Sequence, residues 1–191
     1  MRVFIAIEID KVIKDDLADL QREIRGKADL RKGDAKWVEP EDMHLTLKFL
    51  GEIKDSQLLN VCNITKEVAG KHKRFDIEIG GVGSFGGQSA RVLWVGAGSE
   101  SKDLLEFQED LETQLAFAGW PEENRKFEGH LTLCRIKNFQ AGIKLAQLAK
   151  EYAKYSLDIV PVDSVCIFQS ELTPQGPVYT LLVKYNLQQT N

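Results

Sequence analysis

Residues Val3, Ile5, Ile7 and Ile9 alternate with Phe4, Ala6 and Glu8, which predicts an opening strand buried on most of both faces. Asp10 stands where a helix cap belongs, and Val12, Ile13, Leu17, Leu20 and Ile24 then recur at helical spacing up to Gly26. Residues 27–43 are polar and irregular, with Trp37 and Pro40 as fixed points. A second strand is expected from His44 to Leu50, stopped by Gly51, and a second helix from Leu58 to Val68, ended by Gly70. Phe75–Ile79 and Arg91–Val95 read as two strands joined by the glycine-rich run 80–87. That run is no phosphate-binding GxxxxGK[ST] loop, because no lysine follows and a strand comes next; a connector overhanging a cleft is expected instead.

The second half repeats the rhythm. A helix over 104–117 is closed by Gly119-Trp120-Pro121, a strand follows over 127–136 and a helix over 141–154. Strands are then expected over 156–160, 163–169 and 177–186. The order β-α-β-α-β-β, then α-β-α-β-β-β, describes an α+β chain of two lobes.

Composition narrows the function. With 43% hydrophobic positions in 191 residues, the chain can bury a core without staples. A net charge of −4 argues against a protein that coats nucleic acid through a broad basic surface, though not against one that grips a single phosphate. Cys62, Cys134 and Cys166 are odd in number and widely spaced, which points to buried free thiols and not to a disulfide framework or zinc ribbon. The opening residues lack the long apolar region of a signal peptide, and no window reaches the length of a membrane span. A soluble, cytoplasmic protein with no membrane partner is expected.

The chemistry lies in an internal echo. His44-Leu45-Thr46-Leu47 and His130-Leu131-Thr132-Leu133 are identical and sit nearly half a chain apart. At roughly 6% identity per position such a repeat arises by chance about 0.2 times in a chain this long, so repetition alone carries little. More telling, two of the three histidines occupy the same place in the two copies, and both copies fall in expected strands. Alternation puts each His and Thr on one face and the leucines on the other. If a two-fold relates the lobes, the two His/Thr faces meet across a cleft. Imidazoles with ordinary pKa values of about 6.5 can serve as one base and one acid, while threonine hydroxyls donate to anionic oxygens. That set suits in-line attack on a phosphodiester, whose developing charge needs fixed donors. Arg135 is the candidate cation, yet strict alternation puts it on the leucine face; it serves the site only if the strand bends, bulges or ends, or if its side chain reaches round.

These residues carry a family resemblance over nearly the whole chain: Arg2-Val-Phe-Ile-Ala-Ile, Trp37 ahead of His44-Leu-Thr-Leu-Lys-Phe-Leu-Gly51, Arg91-Val-Leu-Trp-Val-Gly96, Phe127-x-x-His130-Leu-Thr-Leu-Cys-Arg135, Ser170-x-Leu172 and Gly176-x-x-Tyr179. The chain resembles the 2H phosphoesterases, and within them the bacterial and archaeal RNA 2′,3′-cyclic phosphodiesterases historically called 2′-5′ RNA ligases. The resemblance implies a single bilobal domain over 1–191, each lobe an antiparallel sheet with flanking helices. One motif (44–47) would lie in one lobe and one (130–133) in the other, facing each other across the active-site cleft. It implies His44 as general acid, His130 as general base, and Thr46, Thr132 and Arg135 as phosphate ligands, with no metal and no cofactor. The implied partner is an RNA or nucleotide 2′,3′-cyclic phosphate end, opened to a 2′-phosphomonoester. Condensation with a 5′-hydroxyl would instead give a 2′-5′ linkage. One departure is Gly129, where many relatives carry proline. A monomer is expected, since both motifs lie in one chain.

Rival readings are a non-catalytic RNA-end or nucleotide-binding module, and a 2H phosphodiesterase for a small cyclic nucleotide. A metal hydrolase built on His44, His72 and His130 is weaker, because no HExxH or HxH spacing occurs. His72 is expected in a solvated basic run, and Trp37, Phe85, Phe168 and Tyr179 as packing residues or base-stacking surfaces.

Overall fold

The computed structural model describes residues 1–174 and 176–189. In chain order the elements are β1 (Arg2–Glu8), α1 (Lys11–Ala28), β2 (Ala35–Trp37), a 3-10 turn (Pro40–Asp42), β3 (His44–Glu52), α2 (Asp55–Ala69), β4 (Phe75–Phe85) and β5 (Val92–Ala97). Then come α3 (Lys102–Phe117), β6 (His130–Ile136), α4 (Phe139–Glu151), β7 (Ser156–Val162), β8 (Ser164–Thr173) and β9 (Gly176–Asn186). Two antiparallel sheets result, one in the order β3-β1-β8-β9 and one in the order β2-β6-β5-β4-β7. The α+β class and the two-lobe architecture expected from the pattern are what the chain adopts. Among the described residues no helix is long and apolar enough to cross a membrane.

The two halves of the chain interlock, however, and are not one lobe each. β1 and β3 lie in the first sheet, but α1 between them packs against α4 and β7 of the other lobe. In the same way β5 and β6 lie in the second sheet, but α3 between them packs against α2 and β3. The last hairpin, β8–β9, returns to pair with β1. One apolar core therefore runs through both lobes, from Val3, Ile5 and Leu45 to Val95, Leu131 and Leu145. A smaller cluster of Phe4, Ala6, Cys166 and Phe168 covers the other face of the first sheet.

Local differences from the sequence expectation have physical causes. α1 runs through Gly26 to Ala28 because the chain turns only at Asp29, which takes the left-handed conformation at φ 44°. β2 lies inside the stretch expected to be irregular; three residues are too few for an alternation, and the strand exists because it pairs with β6. The glycine run is mostly strand and not a connector: β4 continues to Phe85 and turns only at Gly86 and Gly87, at φ 118° and 73°. Gly83 is needed there because a side-chain carbon would run into the Trp94 ring lying flat across it. Cys134 and Cys166 are buried and Cys62 is half-buried, all three as free thiols.

Two glycine substitutions separate these roles. Gly26→Ala, where a Cβ meets nothing, is expected to stabilise the fold by about 0.5–1 kcal/mol through helix propensity. Gly83→Ala is expected to cost about 1–3 kcal/mol by overpacking Trp94. Urea unfolding of both variants beside the parent measures the two signs.

Candidate active site

Both His-Leu-Thr-Leu copies form strand, with the same sequence of environments: His and Thr half-buried, both leucines buried, the next residue also buried, and the one after it exposed. The pattern repeats because both strands carry a bulge at the same place. Opposite β1, Ile5 pairs with Lys48 and Ala6 with Thr46, leaving Leu47 as the extra residue. Opposite β5, Leu93 pairs with Cys134 and Trp94 with Thr132, leaving Leu133 extra. A bulge adds one residue and so reverses the facing of everything after it. Lys48 and Cys134 thereby turn into the interior, while Phe49 and Arg135 turn outward to the cleft. The parity conflict over Arg135 is settled by this bulge.

Each bulge carbonyl is held by a glutamine from the helix behind it. Gln21 on α1 donates to Leu133 O at 2.8 Å and to Val38 O at 2.9 Å. Gln108 on α3 donates to Leu47 O at 3.5 Å. Behind β3, Lys48 makes a buried ion pair with Glu112 on α3 at 2.5 Å and donates to Pro121 O at 2.7 Å. Glu112 also accepts from Glu123 N at 2.6 Å, so the same pair tethers the segment that leads to His130. On the other side of that segment Gly129 lies so close to Ala97 that a Cβ would strike the Ala97 carbonyl, while Gly129 O accepts from Ala97 N at 2.9 Å.

A cavity of about 330 Å³ between the sheets is lined by His44, Thr46, His130, Thr132 and Arg135. All five residues singled out in the sequence thus meet in one place. The two imidazoles are held alike: His44 Nδ1 donates to Asp42 O at 2.8 Å, and His130 Nδ1 donates to Glu128 O at 2.7 Å. A carbonyl can only accept, so Nδ1 carries the proton and Nε2 of each neutral ring is left with a free lone pair. The cavity continues past this centre among Lys36, Trp37 and Glu39 and the strand ends at Thr173 and Gly176.

Aromatic walls set the electrostatics. His44 stacks on Phe4 with centroids 4.7 Å apart and meets Tyr179 edge-on at 5.1 Å. Burial among these rings pushes the imidazole down to about 4; the carbonyl of Asp42 pulls it up, and the positive charges of Lys14 and Arg135 push it further down. His130 is walled by Phe85, edge-on at 5.0 Å, and by Trp94 at 6.1 Å. The sequence left Phe85, Phe168 and Tyr179 undecided between packing and stacking, and gave no reason to single out Phe4, Gln21 or Gln108. Only the pairing of strands and the packing of α1 and α3 behind them bring those groups to the motifs.

Other candidates fall away from the centre. His72 contacts Asp110 at 3.2 Å and lies edge-on to Phe107 at 5.1 Å, half-buried and not solvated as expected, and it lines no part of the cavity. Among the described residues no group of three or more His, Cys, Asp or Glu is placed to hold a metal. Cys134, one residue past the bulge, faces the core, and burial pushes its thiol up to about 12, far from a nucleophile's range.

Two antiparallel sheets, each offering one His-x-Thr strand to a shared cleft, make up the architecture of a two-histidine phosphoesterase. The sequence profile of the LigT like Phosphoesterase family matches the chain twice, over residues 7–94 and 95–179, and the chain belongs to that family. His44 and His130 fall at nearly the same depth in the two matches. Among its relatives, the RNA 2′,3′-cyclic phosphodiesterase of Methanothermobacter thermautotrophicus is 31% identical over 98% of this chain and 99% of its own. The enzyme of the same name from Aquifex aeolicus is 30% identical over 98% and 97%. A crystal structure of a Thermus thermophilus protein superposes with a TM-score of 0.80 at 27% identity, covering all of both chains.

The burial of His44 carries a stability signature. Its folded value of about 4 lies below the ordinary 6.5, so the unfolded chain binds more protons in that interval and stability falls as pH drops through it. Discounting for the part of the ring that still faces the cleft, the loss between pH 7 and 4.5 is about 2 kcal/mol. His44→Gln is expected to remove that portion of the acid sensitivity, as measured by urea unfolding at the two pH values.

Proposed function

We propose that the protein hydrolyses 2′,3′-cyclic phosphate ends of RNA to 2′-phosphomonoesters, without a metal, as a single bilobal unit. A water oxygen attacks phosphorus while His130 Nε2 takes its proton. The bond from phosphorus to the 3′-oxygen breaks, and His44 Nε2 delivers a proton to that oxygen. Thr46, Thr132 and Arg135 hold the non-bridging oxygens, where charge accumulates. The observation that carries this reading is the matched pair of imidazoles, each locked through Nδ1 and each leaving Nε2 free beside a threonine of one cavity. The shared name of the curated relatives supports the choice of ester.

The assignment of acid and base follows the family resemblance, and it places a demand on the cleft. His44 is neutral in the free protein at pH 7, so it must take up a proton from solvent as the anionic substrate binds. An anion within hydrogen-bonding distance favours the charged imidazole, so bound phosphate moves His44 toward the protonated form that a donor needs. A module that merely binds RNA ends needs no such pair of titrating groups. When a 5′-hydroxyl replaces water as nucleophile, the same steps yield a 2′-5′ linkage with no nucleotide cofactor, because the strained ring is already activated. In water, hydrolysis dominates.

His44→Ala and His130→Ala are each expected to lower kcat by about 10²–10⁴-fold while the protein stays folded, with parental activity unchanged by EDTA. Product analysis should give the 2′-phosphomonoester; parental turnover by folded His130→Ala would refute the mechanism. A pH profile tests the donor separately. A general acid works only when protonated, so in the His130→Ala background, where the base no longer titrates, residual kcat/KM should fall with rising pH from the low free-protein value of His44. In kcat, which reports the bound state, the same limb should appear at higher pH. Coincident alkaline limbs would mean that phosphate does not raise His44.

A further inference from the structure

Arg2 is the strongest feature that the chemistry above does not use. It heads β1, on the same face of the sheet as Phe4, and its guanidinium lies over the Phe49 ring at 5.1 Å. Phe49 stacks on Phe4 at 5.6 Å with planes 7° apart, and Phe4 stacks on His44 at 4.7 Å. A column of stacked groups therefore runs from Arg2 through Phe49 and Phe4 to the His44 imidazole. Phe49 occupies the place that Arg135 holds on the opposite wall, in the same register after the same bulge, and its edge lines the cavity. One wall thus presents a cation directly, and the other presents an aromatic ring with a cation behind it.

Among the described residues Arg2 has no ion-pair or hydrogen-bond partner, and its Nε is fully buried with no acceptor. Glu52, opposite it in the strand register, instead pairs with the α-amine of Met1 at 3.7 Å. The Nη nitrogens still reach solvent, so the guanidinium keeps an open edge to offer an anion while its buried Nε lacks an acceptor. The Phe49 and Phe4 rings stand between Arg2 and His44, so a phosphate held by the two histidines lies out of its reach. We propose that Arg2 is a second phosphate site, which takes the phosphodiester on the 5′ side of the terminal nucleotide and makes an oligonucleotide end, not a mononucleotide cyclic phosphate, the preferred substrate. This rests on the function proposed above, and it assigns that function its substrate class. Arg2 suits a diester because its fork can meet two non-bridging oxygens at once.

Equilibrium binding of two product-type ligands tests it without turnover: a ribonucleoside 2′-monophosphate, and a dinucleotide ending in a 2′-phosphate. For the parent protein the dinucleotide is expected to bind about tenfold more tightly, with a log–log salt slope larger by about 0.7 for the added phosphate. Arg2→Met should lower dinucleotide affinity at least about fivefold more than mononucleotide affinity and remove the extra slope, and Arg2→Lys should recover part of both. Equal losses on the two ligands, or none on either, would overturn the second site, with thermal melting showing whether the variants are folded. Turnover of the corresponding cyclic phosphates separates the two proposals. Arg2-dependent dinucleotide binding without any turnover sinks the hydrolase reading and leaves the site. Turnover without Arg2-dependent discrimination sinks the site alone.

Discussion

Everything at the centre of this molecule depends on one extra residue in each of two strands. Without the bulge at Leu133, period-two alternation would point Cys134 into the cleft and bury Arg135 behind it. Without the bulge at Leu47, Lys48 would face the cleft and Phe49 the core. A bulge leaves backbone groups off the ladder, and a buried carbonyl without a donor is expensive. Leu133 O accepts from Val38 N at 2.9 Å and from the Gln21 amide at 2.8 Å, while Leu47 O receives the Gln108 amide at 3.5 Å.

Those two glutamines also explain why the halves interlock. Gln21 follows the first strand but supports the second motif; Gln108 follows the fifth strand but supports the first motif. The buried pair of Lys48 and Glu112 adds a link of the same kind, joining the first motif strand to the segment that delivers His130. Breaking such a pair by removing one partner costs about 3–5 kcal/mol, because the charge left behind is buried. Each half thus helps to hold the other half's histidine, and the cleft is built from both.

Much of this was legible in the sequence, for reasons that can be stated. The α+β class and the positions of the long elements followed from periodicity, because each element buries one face against a partner. His44, Thr46, His130 and Thr132 stood out because two rare histidines repeat in identical settings. The interlocking of the halves was not legible, since α1 and α3 are amphipathic in the same way whichever sheet they cover. Nor was the role of the glycine run: Gly83 is dictated by Trp94, a residue on the neighbouring strand that local patterning cannot see. Arg135 marks the boundary, because alternation names the wrong face and only the bulge, a long-range matter of register, corrects it.

The central claim is that both imidazoles present Nε2 to one phosphate while Nδ1 stays bonded to the backbone. Nitrogen-15 NMR of the three histidines during titration with a nucleoside 2′-monophosphate tests it most directly, with His72 as an internal reference away from the cleft. If the claim holds, the Nε2 signals of His44 and His130 shift together along one binding curve. Both Nδ1 signals keep their protonated character throughout, and His72 does not move. A response from only one of the two histidines, or loss of the Nδ1 proton from either, would contradict it.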